Sequence, residues 1–253
     1  VNEREADAYR DRCLAALRIL GDVCPAWSPS PLLEHDHLGP LPRVQLSIKI
    51  SALYSQLDPI DPESSYRAVA ARLRPLLNVA GTLPASIIFD MEQAETKDLI
   101  LSIFMRLFEE EPYRTFAHAG IALQAYRIDT YDDVQRLLAW TTRRQVPITI
   151  RLVKGAYWDS DAIRYRQRGW PMPLFEQKSQ TDVNYESLVR LLLEQSHLIR
   201  PAFGTHNLRS LAVIEAVAEA LGLPPVAWEY QMIFGMAEPF QHAMSDRGRP
   251  LRL

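Results

Sequence analysis

Residues 148–158 have the sequence ITIRLVKGAYW, which gives the clearest indication of the fold class. Residues 148–153 are mostly apolar or β-branched, and the run is too short for a typical helix, so it predicts a buried strand. Charged and aromatic side chains follow at once, in Lys154, Tyr157 and Trp158. Parallel sheets of α/β proteins carry their functional groups after the carboxyl ends of their strands.

Short runs of the same kind recur along the chain, and between them apolar residues repeat every three or four positions, as on the buried face of a helix. The predicted strands cover residues 44–51, 86–91, 121–126, 148–153, 202–205, 226–230 and 250–253. Asp61 with Pro62 opens one helix, Thr130 with Asp133 predicts a capping box, and Asn207 caps a third helix. Alternating strands and helices predict a parallel sheet of βαβ units.

A closed barrel is favoured over an open sheet. No G-x-G-x-x-G or Walker sequence follows any predicted strand, whereas polar residues crowd many strand ends. These residues are Lys49, Asp90, Glu92, Gln124, Arg151, Lys154, His206, Asn207, Glu229 and Gln231. We therefore expect an α/β fold, a (β/α)8 TIM-like barrel forming one domain over residues 1–253.

Composition excludes several classes of protein. The 28 basic and 31 acidic residues give a net charge of -3, which does not suggest nucleic acid as a partner. Two cysteines are too few for a disulfide framework, so a reducing cytoplasm is the simpler expectation. The sequence has no run of about 18 apolar residues that would predict a membrane-spanning helix.

The connection over residues 156–180 is polar and unusually long for a compact domain, which is typical of functional loops. We expect a helix over 159–167, followed by a loop that crosses the mouth of the barrel as part of the active site.

Two cations in the opening stretch allow two interpretations. Arg151 can form a structural ion pair with a carboxylate such as Asp90, or the cations can stabilise an anion such as a reduced flavin or a phosphate. Gly155 permits close backbone approach, and Tyr157 and Trp158 offer ring faces to a flat cofactor.

Other residues keep other functions open. Asp90 and Glu92 could be paired acids of a glycosidase, and Lys49 could be the Schiff-base lysine of an aldolase. His35 and His37 are spaced like metal ligands but lack an obvious third, so no metal site is expected. A catalytically silent barrel that serves as a scaffold is a further alternative.

Seven blocks in the chain resemble the proline dehydrogenase domain, especially that of bifunctional proline utilisation flavoproteins. In order they are LSIKISALYSQLDP, IIFDMEQAE, LQAYRIDT, IRLVKGAYWDSD, GWPMPLFEQKSQTDVNYE, FGTHN and EYQMIFGMAEP. The resemblance covers nearly the whole chain, and seven ordered blocks are more specific than any single one.

This resemblance implies oxidation of L-proline to Δ1-pyrroline-5-carboxylate with FAD as the cofactor. A hydride passes from proline Cδ to flavin N5, and the electrons continue to a quinone through transient contact with a membrane surface. The implied setting is cytoplasmic, with a fused or partner pyrroline-5-carboxylate dehydrogenase.

The resemblance also implies substrate-site roles. Lys49 and Asp90 match an ion-paired lysine and aspartate that line the proline site, and Tyr157 and Ile233 match residues that wall the proline ring.

Further matches concern the cofactor. Arg151 matches the arginine that hydrogen-bonds the flavin near N5 and favours its reduced form, and Gln124 matches a contact at the isoalloxazine edge. Other matched cofactor contacts are Val153, Lys154, Gly155, Ala156, Trp158, Thr205, His206, Asn207 and Gln231.

The chain departs from the family at both ends. A helix over 2–20 stands where the family first has another strand, and the family's final helix, with a tyrosine and two carboxylate-binding arginines, is not matched. We therefore expect an incomplete barrel from a longer parent protein.

Overall fold

A computed structural model describes residues 2–253 of the chain. Contacts divide them into two compact units, one made of residues up to Pro29 with 42–121, and one made of 30–41 with 122–253. The expectation of a single domain over 1–253 stays a prediction. In the described part of the chain, no helix combines the length and apolarity needed to cross a membrane.

From residue 44 onward strands and helices alternate, except that two helices follow the strand that ends at Val153. The helices are α1 Glu3–Val23, α2 Pro31–Glu34, α3 Pro62–Thr82, α4 Lys97–Leu107, α5 Thr130–Arg144, α6 Trp158–Arg168, α7 Lys178–Glu194, α8 Leu208–Ala220 and α9 Glu238–Asp246. The strands are β1 His35–Asp36, β2 Gly39–Pro40, β3 Val44–Lys49, β4 Ala85–Asp90, β5 Ala119–Gln124, β6 Thr149–Val153, β7 Arg200–Gly204, β8 Glu229–Gln231 and β9 Leu251–Arg252.

In the first unit, β3 and β4 pair in parallel, and the first residues of β5 pair with β4. The side chains of β4 are almost entirely buried because α3 and α4 cover the sheet. Phe89 of β4 packs edge-on against Phe104 of α4, with ring centres 5.2 Å apart. α1 is tied to α3 by Arg72, which bonds Glu3 at 2.7 Å and Asp7 at 2.9 Å.

In the second unit, β6, β7, β8 and β9 form a parallel series. The chain just after β5 joins the same series, since Ala125 N–H donates to the Val153 carbonyl at 2.8 Å. Seven parallel strands alternating with helices match an incomplete (β/α)8 barrel, so the predicted fold class is confirmed.

Some local expectations change. The capping box at Thr130 is wrong: Thr130 lies inside α5, and its hydroxyl donates to the Gln124 carbonyl at 2.6 Å instead. Over 156–180, the predicted helix is confirmed as α6, but only residues 169–177 separate it from α7. The sequence pattern does not reveal the short β1–β2 hairpin.

His35 and His37 lie on or beside that hairpin. The ring nitrogens of His37 face the carbonyl oxygens of Ser196 at 2.5 Å and Val226 at 3.4 Å. Asp36 between them pairs with Arg200 at 2.6 Å, with 8% and 9% of the two side chains exposed. No group of three or more potential metal ligands occurs in residues 2–253. The hairpin therefore fastens β7 by polar contacts.

Replacing Asp36 with Asn should lower the free energy of unfolding by about 3 kcal/mol, because it removes a buried carboxylate charge that pairs with the Arg200 guanidinium. Asp11→Asn is the control, since Asp11 pairs with Arg10 on an exposed helix surface, so this variant should unfold at nearly the wild-type urea concentration. Urea denaturation measures both variants. Equal stabilities of the two would contradict a structural role for the Asp36–Arg200 pair.

Candidate active site

One face of the sheet in the second unit, which we call the polar face, carries two rows of residues, and each row includes polar side chains. Arg151 is in register with Ala202, and Ala202 is in register with Glu229. One step further, Val153, Gly204 and Gln231 form the next row in the same way. Alternate residues of a strand share a face, so both rows belong to one surface. On the opposite surface, Ile150, Leu152, Phe203 and Tyr230 are fully buried.

The middle of each row is almost without side chain, because β7 contributes Ala202 and Gly204. A Cβ atom at Gly204 would lie 2.9 Å from Val153 Cγ1, so even alanine would crowd this row. The flanking strands β6 and β8 stand about 9.5 Å apart at the usual strand spacing. The residues of β7 therefore add little side-chain volume between β6 and β8 in these two rows, and Val153 Cγ1 lies close to Gly204.

The chain leaves β6 through Gly155, which lies flat against the Tyr126 ring. Gly155 has φ +125°, and a Cβ atom built there would stand 1.4 Å from Tyr126 Cδ1. Tyr126 N–H donates to the Lys154 carbonyl at 2.8 Å, and its hydroxyl donates to the buried Asp161 carboxylate at 3.1 Å. Burial raises the pKa of the Tyr126 phenol, and the negative charge of Asp161 adds to the effect, so the hydroxyl keeps its proton.

Trp158 has a structural contact as well as a predicted cofactor contact. Its ring packs on the cluster formed by Tyr126, Ala162 and Leu174. The indole N–H donates to the Phe175 carbonyl at 2.8 Å, which holds the connection between α6 and α7. Tyr157 beside it is half-buried, whereas Gly155 and Ala156 are exposed.

Thr205, His206 and Asn207 follow β7 and make a polar turn. Thr205 Oγ1 accepts from Asn207 N–H at 3.1 Å, and Asn207 Oδ1 caps α8 by accepting from Ser210 N–H at 3.0 Å. His206 Nε2 accepts from Ile233 N–H at 3.2 Å, so a neutral ring carries its proton on Nδ1. His206 Nδ1 is buried and has no hydrogen-bond partner within residues 2–253. A bound ligand could accept from it.

The remaining predicted contacts of this unit differ in exposure. Gln124 is only 2% exposed, whereas Ile233 is 62% exposed. The side-chain amide of Gln231 donates to the Glu229 carboxylate at 2.6 Å. Glu229 also pairs with Arg252 at 2.8 Å. Ile233 thus presents an apolar surface beside a polar network.

Lys49 and Asp90 belong to the first unit and are directly aligned at the ends of β3 and β4. Tyr9 of α1 fixes this end, because its hydroxyl accepts from Lys49 N–H at 3.0 Å. Burial raises the pKa of Tyr9 to about 12, so it remains neutral. Glu92 accepts from Ser51 N–H at 3.2 Å.

The strand register aligns Lys49 with Asp90, and the expected ion pair between their side chains stays a prediction. The side chain of Lys49 is exposed, so an ion pair with Asp90 would add little to stability beyond the solvation by water that the ammonium group already has. The alignment of the two residues still allows both charges to act on one ligand.

A family model described as proline dehydrogenase matches residues 1–253. The chain belongs to the proline dehydrogenase family. It is 32% identical over 195 residues to the bifunctional protein PutA of Klebsiella aerogenes, which is 77% of this chain and 15% of that protein. It is 26% identical over 252 residues to proline dehydrogenase 1 of Bacillus subtilis (strain 168), which is 100% of this chain and 68% of that protein.

A solved structure is also closely similar. The crystal structure of proline utilization A (PutA) from Bdellovibrio bacteriovorus inactivated by N-propargylglycine has a TM-score of 0.97 and 38% identity. The match covers 100% of this chain and 26% of that one. This similarity confirms the predicted (β/α)8 fold class. The chain spans 15 to 16% of the length of the first bifunctional relatives that it matches.

The residues of the second unit fit a flavin cofactor. The small residues Ala202 and Gly204 lie between β6 and β8, and the cation Arg151 is in register with Ala202. His206 Nδ1 is buried and lacks a hydrogen-bond partner within residues 2–253. Sequence reasoning assigns no role to Tyr126, although the glycine beside two aromatics is a signal for close packing.

Gly155→Ala adds only one methyl group but should destabilise the protein strongly. The methyl group would displace the Tyr126 ring, and a φ of +125° suits only glycine. We expect destabilisation by about 2 to 4 kcal/mol in thermal or chemical unfolding. Gly169→Ala is the matched control: Gly169 also has positive φ, +63°, but nothing lies within 4 Å of its Cβ position. If both variants lose the same stability, the Tyr126 contact does not constrain Gly155.

Proposed function

We propose that this chain is the catalytic barrel of an FAD-dependent proline dehydrogenase that oxidises L-proline to Δ1-pyrroline-5-carboxylate. The polar face of the second unit carries the proposal, since Arg151 stands there beside the small residues Ala202 and Gly204 of β7. Membership in the family favours this function over the glycosidase, aldolase and scaffold alternatives. FAD, when bound, supplies the acceptor for the hydride that leaves proline Cδ.

Arg151 would act through its fixed charge. A guanidinium group stays protonated and donates in a planar fork, so it favours negative charge on a neighbouring ring. Val153 in the next row is apolar and half-buried, and it would help to exclude water from one side of that ring. Less water around Arg151 makes its charge more effective.

The remaining cofactor contacts in the proposal come from both ends of the polar face. They are Gln124, Lys154, Gly155, Ala156, Trp158, Thr205, His206, Asn207 and Gln231. His206 would donate from Nδ1, because Nε2 already accepts from Ile233 N–H. Gly155 would allow close approach because it lacks a side chain and is exposed.

The proline ligand would be met by residues with matching charge and shape. Asp90 and Lys49 offer a carboxylate and an ammonium group in register, which suits an amino acid that carries both charges. Tyr157 and Ile233 would supply apolar walls. We further propose a quinone as electron acceptor, transient contact with a membrane surface, and a fused or partner pyrroline-5-carboxylate dehydrogenase.

We expect the protein, when it is expressed with riboflavin in the medium, to retain FAD through purification. Addition of L-proline in the absence of oxygen should then bleach the visible absorbance band of the flavin. D-proline is the control ligand, since a chiral site should discriminate between the two. Colourless protein that takes up no FAD on titration would contradict the proposed function.

Arg151→Met should slow flavin reduction by proline about 10²-fold, the size of effect expected when one preorganised donor to a developing charge is removed. Stopped-flow reduction measures the rate, and Arg151→Lys should recover part of it. Arg143→Met is the control, because Arg143 lies on the exposed surface of α5. Reduction of Arg151→Met at the wild-type rate would remove Arg151 from the mechanism.

A further inference from the structure

The opening turns of α7 carry two polar side chains that reach the ends of two strands. Asp182 accepts from Lys154 Nζ at 2.6 Å, and Lys154 directly follows β6. Asn184 Nδ2 donates to the carbonyls of Ala125 at 2.9 Å and Arg127 at 3.3 Å, just beyond β5. One helix therefore fixes the exits of the two strands that carry Gln124 and Arg151.

Asp182 is shared by two lysines that differ in exposure. Lys154 exposes 21% of its side chain, whereas Lys178, 2.7 Å from the same carboxylate, exposes 74%. Lys154 Nζ also lies 5.5 Å from the centre of the fully buried Tyr185 ring. Lys154 is thus confined between a carboxylate and an aromatic face, and Lys178 is held on one side only.

The cluster carries a net positive charge. Burial opposes ionisation of Asp182, but hydrogen bonds from Lys154 and Lys178 outweigh it and lower the pKa of the carboxyl group. Two ammonium groups against one carboxylate leave one positive charge beside the exit of β6. Lys154 has three donors, and its bond to Asp182 uses one of them.

We propose that Asp182 is a positioning residue that holds Lys154 in the orientation in which it binds the anionic part of the FAD dinucleotide. This inference rests on the proposed function. A free lysine side chain loses rotamer entropy when a ligand orders it, and Asp182 removes this cost in advance. Asp182 also separates two ammonium groups that would otherwise repel each other.

Two other roles for Asp182 predict different results. A carboxylate that merely neutralises Lys154 would weaken cofactor binding, so its removal would strengthen FAD affinity. Removal of a purely structural carboxylate would lower the stability of the fold, whether or not Lys154 is present. Positioning predicts weaker FAD binding that requires Lys154 to be present.

The test is a double-mutant cycle on the full chain without cofactor, titrated with FAD and followed by quenching of flavin fluorescence. Asp182→Asn and Lys154→Met should each raise the dissociation constant about tenfold. The double variant should be no weaker than Lys154→Met alone, since Asp182 acts through Lys154. Lys178→Met should change the constant less than twofold.

Glu186→Gln is the matched control. Glu186 lies one turn further along α7 and pairs with Arg209 at 2.7 Å, away from Lys154. It should leave FAD affinity unchanged. Circular dichroism and thermal unfolding of the apoproteins check that each variant folds, and Asp182→Asn should unfold within a few degrees of wild type.

Asp182→Glu separates geometry from charge and serves also if Asp182→Asn fails to fold. It keeps the charge but moves the carboxylate by one methylene, so positioning predicts weaker FAD binding here too. Unchanged or tighter FAD binding in the Asp182 variants would overturn this inference but not the proposed function. The same holds if the losses of FAD affinity from the two single variants add up in the double variant. A wild-type chain that binds no FAD would overturn both this inference and the proposed function.

Discussion

The contact between the Tyr126 ring and the Gly155 backbone constrains the rest of the candidate site. A side chain at residue 155 would occupy the same space as the ring, so the chain leaving β6 must pass flat beneath the chain leaving β5. The hydroxyl of Tyr126 is bonded to Asp161, which ties this crossing to α6. Lys154, Tyr157 and Trp158 take their directions from this crossing, because they flank the glycine.

The polar face depends on a second constraint, which is the small size of the residues of β7. Ala202 and Gly204 separate the side chains of β6 from those of β8. Larger residues would fill the two rows and convert the face into ordinary barrel packing. The opposite face, with Ile150, Leu152 and Phe203 fully buried, supplies the hydrophobic stabilisation. One sheet therefore separates its stabilising surface from its binding surface.

Periodicity in the sequence is enough to predict the strands and most helices, because burial repeats with the period of each element. The strand over 148–153 and the helix over 159–167 match β6 and α6 to within about two residues, the usual error of such boundaries. The β1–β2 hairpin has no comparable signal, since two-residue strands have no period. Its anchor, the Asp36–Arg200 pair, joins residues that are far apart in the chain.

The site is harder to predict than the fold because its contacts join residues that are far apart in the chain. The residues Arg151 and Lys154 stand out because charge follows an apolar run, but their partners depend on tertiary contacts. Asp182 lies in one of the sequence blocks that resemble the family, yet nothing local distinguishes it from a surface acid in an i, i+4 pair with Lys178. The capping box expected at Thr130 is wrong for a related reason: the Thr130 hydroxyl donates to the carbonyl of Gln124 at the end of β5.

The two strand-end lysines are held differently, and the difference suits their proposed ligands. Lys49 is exposed and its backbone N–H bonds to α1, whereas the side chain of Lys154 is confined by Asp182 and the Tyr185 ring. A mobile ammonium group pays an ordering cost each time it binds, which favours rapid exchange of a small ligand such as proline. A preordered ammonium group loses this freedom during folding instead, which favours tight retention of a cofactor. The contrast between these lysines follows from burial, since a cation removed from water needs a partner and an exposed one does not.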